Sequence, residues 1–388
     1  MEKSEILLHL GDEITLAHNP GSPALYQTSN FTFGNVAAMR QSLAHEDEIP
    51  FYTRGTNPTI QILQKKLAAL EKMEKALIFS SGSAAIATAV MGNIDQGDHI
   101  LSVSKPYSWT GKLLKNLLPR FGVESTLANG TDVKKFLENI QPNTKLIYLE
   151  SPNSWTFEMQ DLESIADYAR AHDIITIVDN SYSSPINQVP ADHGIDIVVH
   201  SATKYLGGHS DLVAGVLCAS GQMIDKLFKS EFMTLGGIIS PHDAWLMLRS
   251  LRTLPLRIEH TGSSAQKIVS RLEKNDTIEK VYYPFAESFP QKNLVEKYLK
   301  GPNGLFTIDL ATKDTGEIEK FCNSLKKFKL ACSWGSYESL AFPAIATISS
   351  QNYDKPDVVI NRIRFSIGLD DPDILAEDIE NALSEIAN

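Results

Sequence analysis

The chain has 388 residues, 43% of them hydrophobic and 21% charged, with a formal net charge of −11 and three cysteines. That length buries a sizeable core without disulfide or metal staples, and the acidic balance, uninterrupted by any block of Lys and Arg, argues against nucleic acid or another polyanion as partner. No apolar run reaches the roughly 18 to 20 residues that span a bilayer, so membrane insertion is not expected. The start MEKSEILLHLGDE sets acids on both sides of a very short apolar run, unlike a secretory signal, which predicts a cytoplasmic protein. Cys218, Cys322 and Cys332 form no CxxC pair and have no nearby His at ligand spacing, so they read as buried or incidental thiols in a reducing compartment.

Residues 1–59 are rich in Asn, Ser, Thr, Gly and Pro with scattered aromatics and little periodicity, which predicts an extended arm. Ile60, Leu63, Leu67 and Leu70 then share one helical face that the EKMEK segment ends. ALIF reads as a short buried strand, followed by SSGSAA as a strand-to-helix turn. HILSV (99–103), KLIYL (145–149), IITIV (174–178), DIVV (196–199) and AGVLC (214–218) continue the series, separated by helix-like segments such as LESIADYARAH. Strand alternating with helix predicts an α/β fold with a mainly parallel sheet covered by helices. Residues 241–260 read as a long helix interrupted at Pro255. Beyond it come a further helix AQKIVSRLEK, strands in GLFTIDL and NRIRFSIGL, and a terminal helix PDILAEDIENALSEI. The expected division is an arm over 1–59, a cofactor-binding domain over 60–250 and a smaller α+β domain over 251–388. Neither internal repeats nor low-complexity tracts occur.

Ligands on such sheets gather at the carboxyl ends of strands. Gly82 and Ser83 open a helix straight after ALIF, and the free N–H groups of a first helical turn form an anion cradle. Ser201, Thr203 and Lys204 follow DIVV. Between a strand end and a glycine pair, Lys204 is expected to be partly buried, which lowers an ammonium pKa toward nucleophilic use. Asp179 ends IITIVD, where a carboxylate can keep a pyridine nitrogen protonated. Phosphate donors, a pyridinium partner and an imine-forming lysine are together the requirements of pyridoxal phosphate.

YTRGTNPT, SSGSAA, ESP, VDN, SATKYLGGHSD, LRTLPLR, YESL and RFSIGL occur in the order found in the Cys/Met-metabolism family of pyridoxal-phosphate enzymes, and the chain resembles that family over nearly its whole length. The resemblance implies the aspartate aminotransferase-like fold type I, a small sulfur amino acid as substrate, and a homotetramer built from two active-site dimers. It implies Lys204 as the Schiff-base lysine, Asp179 as partner of the pyridine nitrogen, Gly82 and Ser83 as backbone phosphate donors and Ser201 and Thr203 as side-chain donors. By the same resemblance Tyr107 stacks on the cofactor ring, and Tyr52 and Arg54 of the arm reach the phosphate of a neighbouring subunit. Arg364 is implied to bind the substrate α-carboxylate, for which a bidentate guanidinium is chemically suited.

Two departures bear on the reaction. Glu150-Ser151-Pro152-Asn153-Ser154-Trp155 places Ser154 where γ-specific members usually carry Asn. Cys332-Ser333-Trp334-Gly335 replaces the Glu that commonly precedes the Ser of an SLGG motif in γ-synthases and γ-lyases. Both are similar to the bacterial cystathionine β-lyase pattern, with Trp334 as an apolar wall and Ser333 as a residue that orients the lysine. The expectation is a carbon–sulfur lyase acting by β-elimination on L-cystathionine. γ-Elimination and γ-replacement are the alternatives within the family, and a catalytically inactive binding protein is the alternative outside it.

Overall fold

Parallel strands covered on both faces are near-continuous apolar runs, and the apolar runs of the first part of the chain assemble into one seven-stranded sheet. The computed structural model describes residues 1–15, 20–353, 355 and 358–386. The strands are β1 (Lys75–Phe79), β2 (His99–Val103), β3 (Glu124–Ala128), β4 (Thr144–Glu150), β5 (Ile175–Asp179), β6 (Ile197–Ser201) and β7 (Gly215–Ala219), in the spatial order β1-β7-β6-β5-β4-β2-β3. β7 runs antiparallel to both its neighbours and the other pairings are parallel. β3 escaped the sequence reading because it lies at the sheet edge with a half-exposed ESTLA segment instead of an apolar run.

Two compact units divide the chain: Met1–Ser151, Gln160–Gly207 and Asp211–Thr253 form the first, and Pro152–Met159, Gly208–Ser210 and Leu254–Asn388 the second. In the first unit, Leu77, Phe79, Tyr148, Ile177, Val199 and Leu217 from the sheet pack with Ala85, Ile86 and Ala89 of the helix Gly82–Met91. Register aligns the functional strand ends. Phe79 and Ser201 both face Gly215, Asp179 faces Val199, and Glu150 faces Asp179. The carboxyl ends of β1, β4, β5 and β6 therefore meet along one edge of the sheet.

Glycine is required at that edge. A Cβ on Gly215 would stand 2.1 Å from Ser81 O, and one on Gly82 would stand 2.8 Å from Ser201 Cα. Backbone cannot yield as a flexible side chain does, so Gly215→Ala is expected to destabilise the protein by about 1–3 kcal/mol. The check is a lower urea midpoint at unchanged slope.

The arm is not extended throughout: it contains the helices Lys3–Leu8 and Val36–Ala44. Asn35 caps the second, its Oδ1 accepting from Ala38 N at 2.8 Å. The absence of an apolar face concealed this helix, since Val36, Met39 and Leu43 are exposed and Ser42 is its buried residue.

The second unit holds a five-stranded sheet, β10-β11-β12-β9-β8, made of β8 (Ile278–Tyr282), β9 (Leu305–Leu310), β10 (Lys329–Leu330), β11 (Leu340–Pro343) and β12 (Arg362–Ser366). Phe306, Ile308, Ile363 and Phe365 pack with Ile268 and Leu272 of one helix and Ile379 of another. The expected helix broken at Pro255 is instead two helices, Pro241–Leu251 and Leu254–Leu272. Pro255 sits in the first turn of the second, where a missing N–H is harmless. That second helix also continues through AQKIVSRL, so no separate helix begins there.

Candidate active site

The first unit builds a polar cluster on its strand-end edge. Ser81 caps the helix Gly82–Met91, its Oγ accepting from Ala84 N at 3.1 Å, and exposed Ser83 follows in the first turn. The ideal Cβ position at Gly82 is 3.1 Å from Ser201 Oγ, so the helix start and the end of β6 are in contact. Lys204 follows in a tight turn, its N–H donating to Ser201 O at 3.1 Å, and the residue is half-buried. Thr203 Oγ1 donates to Ala214 O at 3.3 Å and accepts from Ala214 N at 3.0 Å, so this hydroxyl closes the loop between Thr203 and Ala214.

Asp179 is 5% exposed. Burial raises its carboxyl pKa, against the hydrogen bonds from Ser181 and the positive fields of His200 and Lys204. Ser181 donates to Asp179 Oδ1 twice, from N at 2.9 Å and from Oγ at 2.5 Å, while its Oγ accepts from Ser201 N at 2.6 Å. Tyr148 is wholly buried beside this carboxylate. Burial, then the charges of Asp179 and Glu150, push its phenol well above the usual value, so it keeps its proton.

A buried pair underlies the strand ends. His200 Nε2 lies 2.5 Å from Glu71 Oε1, both side chains being 1% exposed. Asn180 Nδ2 donates to the same Glu71 oxygen at 3.0 Å and to Gln188 O at 3.0 Å, and Gln188 Nε2 donates to Ser151 O at 2.8 Å. Tyr107 is anchored from the neighbouring strand: its N–H donates to Glu150 Oε2 at 2.6 Å while the residue stays 42% exposed.

Tyr52 and Arg54 lie beside the segment Gly236–Ile238, whose Gly237 O accepts from Ser80 N at 2.8 Å and whose Ile238 bridges Phe79 at the end of β1. Both are exposed, Arg54 Cζ lies 5.7 Å over the Tyr52 ring, and they line a cavity of about 540 Å³ with Ser29, Gly236 and Pro241. Among the described residues neither side chain makes a hydrogen bond or ion pair.

In the second unit Arg364 projects from β12 and is 6% exposed. Its Nη1 donates to Ser154 O at 3.1 Å, so Ser154 contributes its carbonyl here. The loop carrying Ser154 is wound around Asn153, whose Oδ1 accepts from the N–H groups of Trp155, Thr156 and Phe157 at 2.9–3.1 Å. Gln291 fixes the loop's end, donating to Met159 O at 2.8 Å and accepting from Met159 N at 2.9 Å. Ser333 holds a left-handed φ of 77°, a conformation that costs a non-glycine residue energy, and Trp334 beside it is 5% exposed. Gly335 N donates to Ser366 Oγ at 3.0 Å, which ties this turn to the end of β12. Cys332 is exposed, whereas burial raises the thiols of Cys218 and Cys322, the latter to about 12.

Sequence reasoning did not single out Glu71, Tyr148, Ser181, His200, Trp155 or Phe342. Trp155 sat inside a segment read for Ser154 alone; Glu71, in a charged stretch after a helix, carried no signal at all. Two features suit pyridoxal phosphate. The helix Gly82–Met91 opens at the strand-end edge against Ser201, so its first-turn N–H groups offer donors to an anion beside the Ser201 hydroxyl, and Asp179 is a buried carboxylate whose charge a protonated ring nitrogen would stabilise.

Comparison with known proteins agrees with that chemistry. A family model described as Cys/Met metabolism PLP-dependent enzyme matches residues 4–384. Cystathionine gamma-lyase of Bacillus subtilis is 36% identical over 394 aligned residues, covering 100% of each chain, and cystathionine beta-lyase MetC of the same organism is 32% identical, covering 97% of each. The solved structure of metB from Corynebacterium glutamicum aligns with a TM-score of 0.91 at 31% identity, covering 100% of this chain and 98% of that one.

Proposed function

The chain belongs to the Cys/Met-metabolism PLP-dependent enzymes, with their fold and cofactor, and from that premise we propose that it is a carbon–sulfur lyase that cleaves L-cystathionine by β-elimination. With one water consumed, the products are homocysteine, pyruvate and ammonia. The observation that carries the lyase reading is half-buried Lys204 at the end of β6, its charge acting on buried Asp179.

Pyridoxal phosphate, when bound, supplies a sink for the electrons left at the substrate Cα. Gly82 and Ser83 offer first-turn N–H groups to its phosphate, and Ser201 and Thr203 are the neighbouring hydroxyls. Asp179, oriented by Ser181, would hold the proton on the ring nitrogen. Tyr107, its backbone fixed by Glu150, would be the aromatic side chain that holds the ring. Lys204, once a free amine, takes the Cα proton and, with Tyr107, can return one to the departing sulfur. Arg364 is the proposed anchor for the substrate α-carboxylate, with Ser154, Ser333 and Trp334 as the residues that set substrate fit. Tyr52 and Arg54, exposed and in contact with each other in one chain, are proposed to reach the phosphate held by a neighbouring subunit of a cytoplasmic homotetramer.

What favours β-elimination is the Cys332-Ser333-Trp334-Gly335 segment, which carries no carboxylate to pair with a distal substrate amine. A second reading, γ-elimination, is favoured by the 36% identity to a γ-lyase against 32% to a β-lyase. The keto acid released from L-cystathionine separates the two: pyruvate is expected, and 2-oxobutyrate would assign γ-elimination instead.

A further inference from the structure

Trp155 takes no part in the chemistry above, yet its indole lies against Arg364. The guanidinium Cζ is 4.9 Å from the Trp155 ring centre and 5.3 Å from that of Phe342, and the two rings are 5.6 Å apart, tilted by 36°. The indole approaches from the loop 152–159 and the phenyl from β11, next to Arg364 in register. A guanidinium carries its five N–H donors in its plane, whereas aromatic rings attract it through its charge. Aromatic contact therefore holds the group and keeps water from it without consuming donors, and Ser154 O takes one donor in a fixed direction.

We propose that Trp155 is a positioning residue for the substrate α-carboxylate: with Phe342 its indole holds the Arg364 guanidinium so that the in-plane donors meet a carboxylate in one orientation. This rests on the reading of Arg364 as the carboxylate anchor. It separates an electrostatic role from mere packing. A leucine would fill much of the same space but lacks the π face, whereas phenylalanine retains one.

The test uses the holoenzyme and two fragments of S-methylcysteine: 3-(methylthio)propionate, which keeps the carboxylate and lacks the amine, and 2-(methylthio)ethylamine, which keeps the amine and lacks the carboxylate. Calorimetry is expected to show Trp155→Leu binding the propionate about tenfold more weakly, with the amine bound as by wild type. Trp155→Phe should remain within about threefold for both. Steady-state assays of Trp155→Leu should show a similar rise in KM for L-cystathionine with kcat nearly unchanged. Should Trp155→Leu fail to fold, Phe342→Leu is expected to produce the same carboxylate-selective loss. Equal weakening of both fragments would overturn the proposal in favour of a packing role. Unchanged propionate binding in Trp155→Leu, with its loss in Arg364→Ala, would overturn it while leaving the Arg364 reading intact. Unchanged propionate binding in Arg364→Ala would overturn that reading and the proposal together.

Discussion

Lys204→Ala is expected to lower turnover of L-cystathionine by roughly a thousandfold or more, because it removes the group proposed both as the covalent attachment point of the cofactor and as the base at the substrate Cα. The enzyme reconstituted with pyridoxal phosphate should lose the visible absorbance that borohydride abolishes in wild type. A small primary amine such as methylamine, added at high concentration, should restore part of the turnover if the missing group is a proton acceptor. Wild-type turnover in this variant would sink the assignment. The substitution itself should cost little stability, since Lys204 is a half-buried residue in a turn whose backbone bond to Ser201 remains.

Asp179→Asn separates activity from stability with opposite signs. The variant keeps an oxygen able to accept both Ser181 bonds, at 2.9 and 2.5 Å, but loses the charge that would hold the ring nitrogen protonated. Turnover is expected to fall by about a hundredfold or more, the scale associated with removing a single preorganised electrostatic group. The apoprotein should behave otherwise. Burial raises the Asp179 pKa above its usual 3.8, so folding favours the neutral acid. Its contribution to stability is complete below the ordinary value and is lost as pH rises through the raised one. At neutral pH the wild-type apoprotein therefore carries an unfavourable buried charge, and the variant should melt no lower than wild type. Addition of pyridoxal phosphate should then raise the wild-type melting temperature more than that of Asp179→Asn. An equal rise in both would remove Asp179 from the cofactor site.

His200 and Glu71 extend this balance away from the site. Their pairing at 2.5 Å with 1% exposure gives two buried polar side chains a partner near the end of β5, and Asn180, the residue after Asp179, donates to the same Glu71 oxygen. A polar group left unpaired at such depth is costly, which accounts for the close contact between a residue at the end of an early helix and one on β6.

The strands leading to Asp179, Lys204 and the Gly82 turn were legible because strands covered on both faces are mostly apolar, so each appears as a near-continuous apolar run with its chemistry at or just after its end. β3 and β10 were not, because edge strands with half-exposed or exposed side chains need no such run. The helix Val36–Ala44 was hidden for the related reason that most of its apolar side chains are exposed in the isolated chain. Ser154 and Arg364 were named from motifs far apart in the sequence, but nothing in either motif indicated that the Ser154 carbonyl accepts from Arg364 or that Trp155 lies over it.

By itself, then, the sequence determined the alternation of buried strands and helices, the residues standing at the strand ends and the family pattern they form. Local periodicity, glycine turns and residue chemistry are all encoded within short stretches of chain. Only the tertiary structure decided that 152–159 and 208–210 leave the first unit and pack in the second. Gln291 captures Met159 at both its N–H and its carbonyl, Ser210 Oγ meets Ser336 at 2.7 Å and Glu338 at 2.5 Å, and Gly208 makes room for the buried Arg257 guanidinium, which a Cβ would approach to 2.0 Å. Each of these contacts joins groups distant along the chain, and a buried polar group such as the Arg257 guanidinium depends on the surroundings it finds there. No local propensity specifies such a partner; the packing of the finished units does.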